Sequence, residues 1–183
     1  MHWQRVANWA IIAAVILVFA PFIALYVADD PQDTISQTVK DGPAAVVFGV
    51  FGVVTAAVLV PIFVATDYVV TGGVIIVSLL VLSFAPKAGD TEFVHDLAAY
   101  ALYLGAAVQV ADAAAYDASP ARLCIAACFI VSLFLAVGFL GTHWIGAIQI
   151  SLLSLFAVHL SMFYRDCSQR EWRFREVNTV ILR

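Results

Sequence analysis

Long apolar runs joined by short polar connections are the feature that most constrains this chain. A helix needs about 20 mainly apolar residues to cross the hydrocarbon core of a bilayer. The sequence offers such a run six times. The first covers 6–28 and stops at Asp29-Asp30-Pro31. The second, 44–66, follows Gly42-Pro43, and the third, 69–85, closes at Pro86-Lys87. The fourth runs over 93–116, the fifth over 120–140 from Pro120, and the sixth over 143–164 from His143-Trp144 to Tyr164-Arg165. With 63% hydrophobic and only 12% charged residues, against roughly 25% charged in a soluble domain, the surface is made for lipid. The reading is an all-α, polytopic bundle of about six transmembrane helices in one domain, followed by a tail over 165–183.

Two boundaries are soft. Thr66-Asp67-Tyr68 is a very short connection, and Gly72-Gly73 stands just inside the third segment. A third segment starting only at Gly73 would be too short to cross, which leaves a broken or re-entrant pair as the alternative. Six full crossings are preferred because they put Asp67 at an interface. The first run exceeds the roughly 7–15-residue core of a signal peptide, and Tyr26-Val27-Ala28 is a poor cleavage site, so a retained membrane helix is expected.

Arginine and lysine placement sets the orientation. With both termini on one side, that side holds Arg5, Arg122, Arg165, Arg170, Arg173, Arg175 and Arg183, and the other only Lys40 and Lys87. The positive-inside bias makes both termini cytoplasmic and turns the acidic loop 29–41 outward. A net charge of −4 gives no basic field for nucleic acid. The expected partners are membrane lipids and other membrane-protein subunits.

Ionisable side chains inside such segments are functional candidates by default. They fall on two levels. His95, Asp96 and His143 lie toward the outer face, with Tyr100 a turn deeper, and form the candidate lipid or ligand site. Gln109, Asp112 and His159 lie toward the cytoplasmic face, where His159 is expected to pair with Asp112 or Gln109 and tie two helices together. On a helical wheel Asp96, Tyr100 and Tyr103 share one stripe, and His95 and Gln109 another. His143 and His159 are about 24 Å apart along one helix and cannot share a metal. A haem or metal between His95 and His143 is the one cofactor geometry available. Paired boundary histidines more often make hydrogen bonds, so no cofactor is expected.

Cys124 and Cys128 are one helical turn apart, outside disulfide geometry, and read as small packing residues. Gly49 with Gly52, Gly138 with Gly141, and the alanines of 106–115 mark close helix approaches. Arg165, Arg170, Trp172, Arg173 and Arg175 make the tail an interfacial anchor, diluted by Asp166, Glu171 and Glu176. No Ser–His–Asp signature or phosphate loop is present.

Six helices, an acidic first outer loop, a histidine opening helix four and a short charged tail resemble the FRAG/DRAM/SFK family. The string Tyr26-Val27-Ala28-Asp29-Asp30 is similar to that family's end of helix one, though without its Ser and Thr. Pro43 with Phe48-Gly49, and Tyr164-Arg165-Asp166, are similar to its entry to helix two and its end of helix six. The outer loops are shorter than in that family. The resemblance implies a lipid-associated role without a catalytic constellation to carry over. The leading function is therefore non-catalytic lipid handling or membrane organisation. The alternatives are an accessory subunit of a larger membrane complex, and an enzyme or transporter using the intramembrane His and Asp residues.

Overall fold

The structure, a computed structural model, describes residues 3–28, 35–38, 41–66, 68–85, 87, 89–116, 119–139 and 144–162. The described residues are helical nearly throughout. They form α1 (Trp3–Val27), the single turn α2 (Ile35–Thr38), α3 (Gly42–Ala65), α4 (Val69–Phe84), α5 (Glu92–Tyr116) and α6 (Pro120–Gly138), and α7 (Ile145–Met162). A short 3₁₀ turn, Gly89–Thr91, leads into α5. Five of these helices are long and apolar enough to cross a membrane: α1, α3, α5, α6 and α7. Asp67, His143 and the tail from Arg165 lie outside the described residues.

The helix ends follow local chemistry. Gly42 takes a left-handed φ of 66°, which a side chain would strain, and Pro43 follows in the first turn, where its missing N–H costs nothing. At the other end of α3 the Ile62 carbonyl accepts both the Thr66 N–H over 3.0 Å and the Thr66 hydroxyl over 2.8 Å, which closes the last turn. Pro120 begins α6 in the same manner behind Ser119.

Among α1 to α6 the main packing is of α1 on α3, α3 on α4, α4 on α5 and α5 on α6. On α1 the inward face is almost all alanine, with Ala7, Ala10, Ala13, Ala20 and Ala24 buried at helical spacing. Small side chains let backbones come close, which is how helices hold together when lipid tails are as apolar as leucine. The α3–α4 contact shows the same device. A Cβ on Gly49 would stand 3.0 Å from the Ser83 carbonyl oxygen, and one on Gly52 would overlap the Ser83 hydroxyl. Near the connection, a Cβ on Gly72 would enter the Phe63 ring. These contacts run antiparallel along the pair, so α4 lies back against α3 over its whole length.

At 16 residues, α4 rises about 24 Å, short of a hydrocarbon core of about 30 Å. Among the described residues it is the one apolar helix of more than one turn below spanning length. By contrast Gly138, expected at a close approach with Gly141, has open space around its Cβ position. The bundle is also uneven. In the most apolar window of each helix 44% of the residues are buried on α5 and 17% on α6, so α5 is central and α6 peripheral.

Candidate functional site

Helix α5 carries the polar groups of both ends of the bundle on one inward stripe. His95, Ala98, Leu102, Gly105, Ala106, Gln109, Val110 and Ala113 are all buried, the i, i+3, i+4 pattern of a core-facing helix. His95 and Gln109 therefore share a face, as the helical wheel implied.

At the end nearer α2, His95 is 2% exposed. Its Nδ1 lies 2.7 Å from the carbonyl oxygen of Ala85, at the C-terminus of α4. A carbonyl has no proton to give, so Nδ1 carries the hydrogen and donates. In the neutral ring the remaining nitrogen, Nε2, is then an acceptor. Nε2 is buried and has no hydrogen-bond partner among the described residues.

His95 lines a cavity of about 50 Å³ enclosed by α1, α2, α3, α4, α5 and α7. His95 is among the residues that line it, and Ala85 is not. The other walls are mostly aliphatic or aromatic, with Thr55, Tyr103 and Gln149 as the polar exceptions. The Gln149 Oε1 accepts the Ile35 N–H over 3.2 Å, so α2 is pinned across this end and Ile35 forms part of the cavity wall. Leu17 and Pro21, one turn apart on α1, line it as well. Pro21 has no amide hydrogen, so the Leu17 carbonyl receives no helix bond from that position. The cavity thus offers the polar side chains of His95, Thr55 and Tyr103 in an apolar surround.

The other members of the expected outer site are placed differently. Asp96 points to Lys87, with Nζ–Oδ1 at 2.8 Å, and braces the connection between α4 and α5. Tyr100 is 56% exposed, and Tyr103, three residues on, takes the place at the cavity. His143 lies outside the described residues, so its convergence with His95 is not part of this geometry.

The opposite end brings together Tyr68, Asp112, Arg122 and His159. Tyr68 stands in the connection between α3 and α4, outside the helices. Its hydroxyl donates to the Asp112 carboxylate. Burial first, and that acidic partner second, push its pKa up to about 12, with Arg122 pulling in the opposite direction. His159 is buried, stacks on Phe156 with ring centroids 5.9 Å apart and planes 20° apart, and lies within electrostatic reach of Arg122. Of the two partners expected for His159, Asp112 or Gln109, Gln109 makes no hydrogen bond to it. The Gln109 side chain is 0% exposed, and neither amide atom has a partner among the described residues.

Sequence reasoning counted Arg122 only among the cations that set the orientation, yet it is 6% exposed in the first turn of α6. Gln149 is a second polar residue whose role the sequence did not reveal. Its bond to Ile35 joins positions 114 residues apart, which no local pattern encodes.

Among the described residues no three or more His, Cys, Asp or Glu side chains gather where they could hold one metal ion. Cys124 and Cys128 are free thiols on the exposed side of α6. The fold and its sites define a class: a polytopic helix bundle whose helices suit a bilayer, with an apolar cavity toward one end. No family model, curated protein or solved structure matches the chain.

Proposed function

We propose that this is a non-catalytic integral membrane protein that handles lipid, holding the polar end of a membrane amphiphile at the His95 cavity. The observation that carries the reading is the buried Nε2 of His95, an acceptor with no partner among the described residues on the wall of a largely apolar cavity. Leaving such a group unsatisfied costs about 1–3 kcal/mol. A hydroxyl or amine donor removes that cost, and the apolar walls suit the carbon atoms attached to it. The cavity lining has no carboxylate, thiol or serine beside the histidine, which favours binding over chemistry. The resemblance to the FRAG/DRAM/SFK family points the same way.

The orientation belongs to this proposal too. Six crossings place both termini, Thr66 and Tyr116 at the cytoplasmic face and α2 with the His95 cavity at the outer face. The antiparallel lie of α4 on α3 supports α4 as a full crossing.

An accessory-subunit role is the second reading, favoured by α6. Of its side chains Arg122, Ala126 and Phe129 are buried, while Leu123, Val131, Phe134 and Val137 are exposed. A neighbouring membrane protein would find an open helix there.

Purification in mild detergent, followed by native mass spectrometry and lipid extraction, separates the two. Lipid handling requires a lipid carried stoichiometrically by the wild-type chain and lost in His95→Phe. A stoichiometric large assembly establishes the subunit role, and a lipid-free monomer rejects both.

A further inference from the structure

A second depression lies beside the His95 cavity. It is a groove of about 490 Å³ between α3 and α4, lined by residues that include Val46, Gly49, Val50, Val54, Ser83 and Phe84. Val46, Val50, Val54 and Phe84 are exposed, so the groove opens on the outer surface of the bundle, where the bilayer lies. Its one side-chain hydroxyl, that of Ser83, donates to the Leu79 carbonyl over 2.7 Å. The groove therefore presents an apolar face. Phe48 and Leu82 line both spaces, so the internal cavity and the lipid-facing groove are separated by the thickness of these two side chains.

The volumes divide the work. At about 10–15 Å³ of such volume per water, about 50 Å³ holds a few water-sized groups. That is room for a polar end and its first carbons and too little for a lipid chain. The groove is roughly ten times larger and apolar throughout its open side.

We propose that a single-chain amphiphile with a hydroxyl at its polar end enters sideways from the bilayer between α3 and α4. Phe48 and Leu82 are the gate, the hydroxyl donates to His95 Nε2 in the cavity, and the chain stays in the α3–α4 groove. This rests on the lipid-handling reading and adds the ligand class, the route and the seat of the chain. The hydroxyl, which both donates and accepts, suits the unpartnered His95 acceptor beside the hydroxyls of Thr55 and Tyr103, and the single chain suits a groove bounded by only two helices.

The test uses the full chain in phosphatidylcholine vesicles with a long-chain alcohol bearing a mid-chain diazirine, photolysed and mapped by peptide mass spectrometry. Adducts are expected on α3 and α4 at the groove, and excess unlabelled alcohol should compete them away. His95→Phe, which keeps a ring and removes the acceptor, should cut the competable labelling about tenfold. Val50→Trp fills the groove from its lipid-facing side without touching the core and should cut it by a similar factor. Val131→Trp, an exposed valine on α6, should leave it unchanged. Competable labelling that needs His95 but ignores Val50→Trp overturns the lateral route and keeps the lipid at the cavity. Labelling that the unlabelled alcohol does not compete, or that ignores His95→Phe, overturns the route and the lipid-handling reading together.

Discussion

Two buried side chains on one stripe of α5 show how much a single residue's surroundings decide. His95 has one nitrogen engaged by the Ala85 carbonyl and the other without a partner among the described residues, on a side chain that lines a cavity. Gln109 is sealed at 0% exposure with both amide atoms unsatisfied among the described residues. In the unfolded chain that amide finds water or backbone partners, so burial costs more than leucine would. Gln109→Leu, close in volume, is expected to raise stability in detergent by about 1 kcal/mol, read as an upward shift in thermal unfolding. A loss of that size instead would mean that the amide holds a partner, protein or ligand. The sequence showed that both residues face inward, because a 3.6-residue period puts them on one stripe. It did not show that Tyr103 replaces Tyr100 at the cavity. Positions three apart on a helix differ by about 60°, less than the width of a buried face, so periodicity alone does not choose between them.

At the scale of elements, the paired glycines at the start of α4 separate two roles that the sequence blurred into a soft boundary. Gly72 is buried and its missing side chain is where the Phe63 ring of α3 sits, whereas a Cβ on Gly73 meets nothing within 4 Å. Gly72→Ala must displace a buried ring and should destabilise by about 1–3 kcal/mol. Gly73→Ala gains helix propensity with no clash and should stabilise by about 0.5–1 kcal/mol. Parallel thermal melts of the two variants check the contrast, and equal effects would dissolve the tight α3–α4 packing. Helix positions were legible from the sequence because each apolar run ends at proline, glycine or charge. Every described end of the long helices falls within three residues of the run read from the sequence. Which small residues meet was legible only in part. Gly49 and Gly52 do face α4, and Gly138 faces nothing, because a small residue permits close approach without naming the helix that makes it.

For the molecule as a whole, the open question is whether the α3–α4 pair crosses the bilayer twice, and the architecture makes this sharp. Helix α3 is long enough to span and α4, at 16 residues, is not by length alone. Yet α4 lies antiparallel along α3 from Gly72 against Phe63 to Ser83 against Gly49. Its far end is extended by the segment through Lys87, whose ion pair with Asp96 suits a headgroup layer better than hydrocarbon. Local bilayer thinning of a few ångströms covers the rest at a fraction of a kcal/mol per ångström. Single cysteines at Gln37, Thr66, Asp90 and Tyr116, in a chain with Cys124, Cys128 and Cys167 replaced by serine, resolve the alternatives through a membrane-impermeant thiol reagent. With six crossings, residues 37 and 90 label from the outside, and residues 66 and 116 only after the membrane is opened. If α4 fails to cross, residue 90 moves to the side of residue 66, opposite residue 37. If the pair is re-entrant, residue 66 labels from the same side as 37 and 90. Either of those patterns removes α4 as a crossing helix, and the second also removes α3.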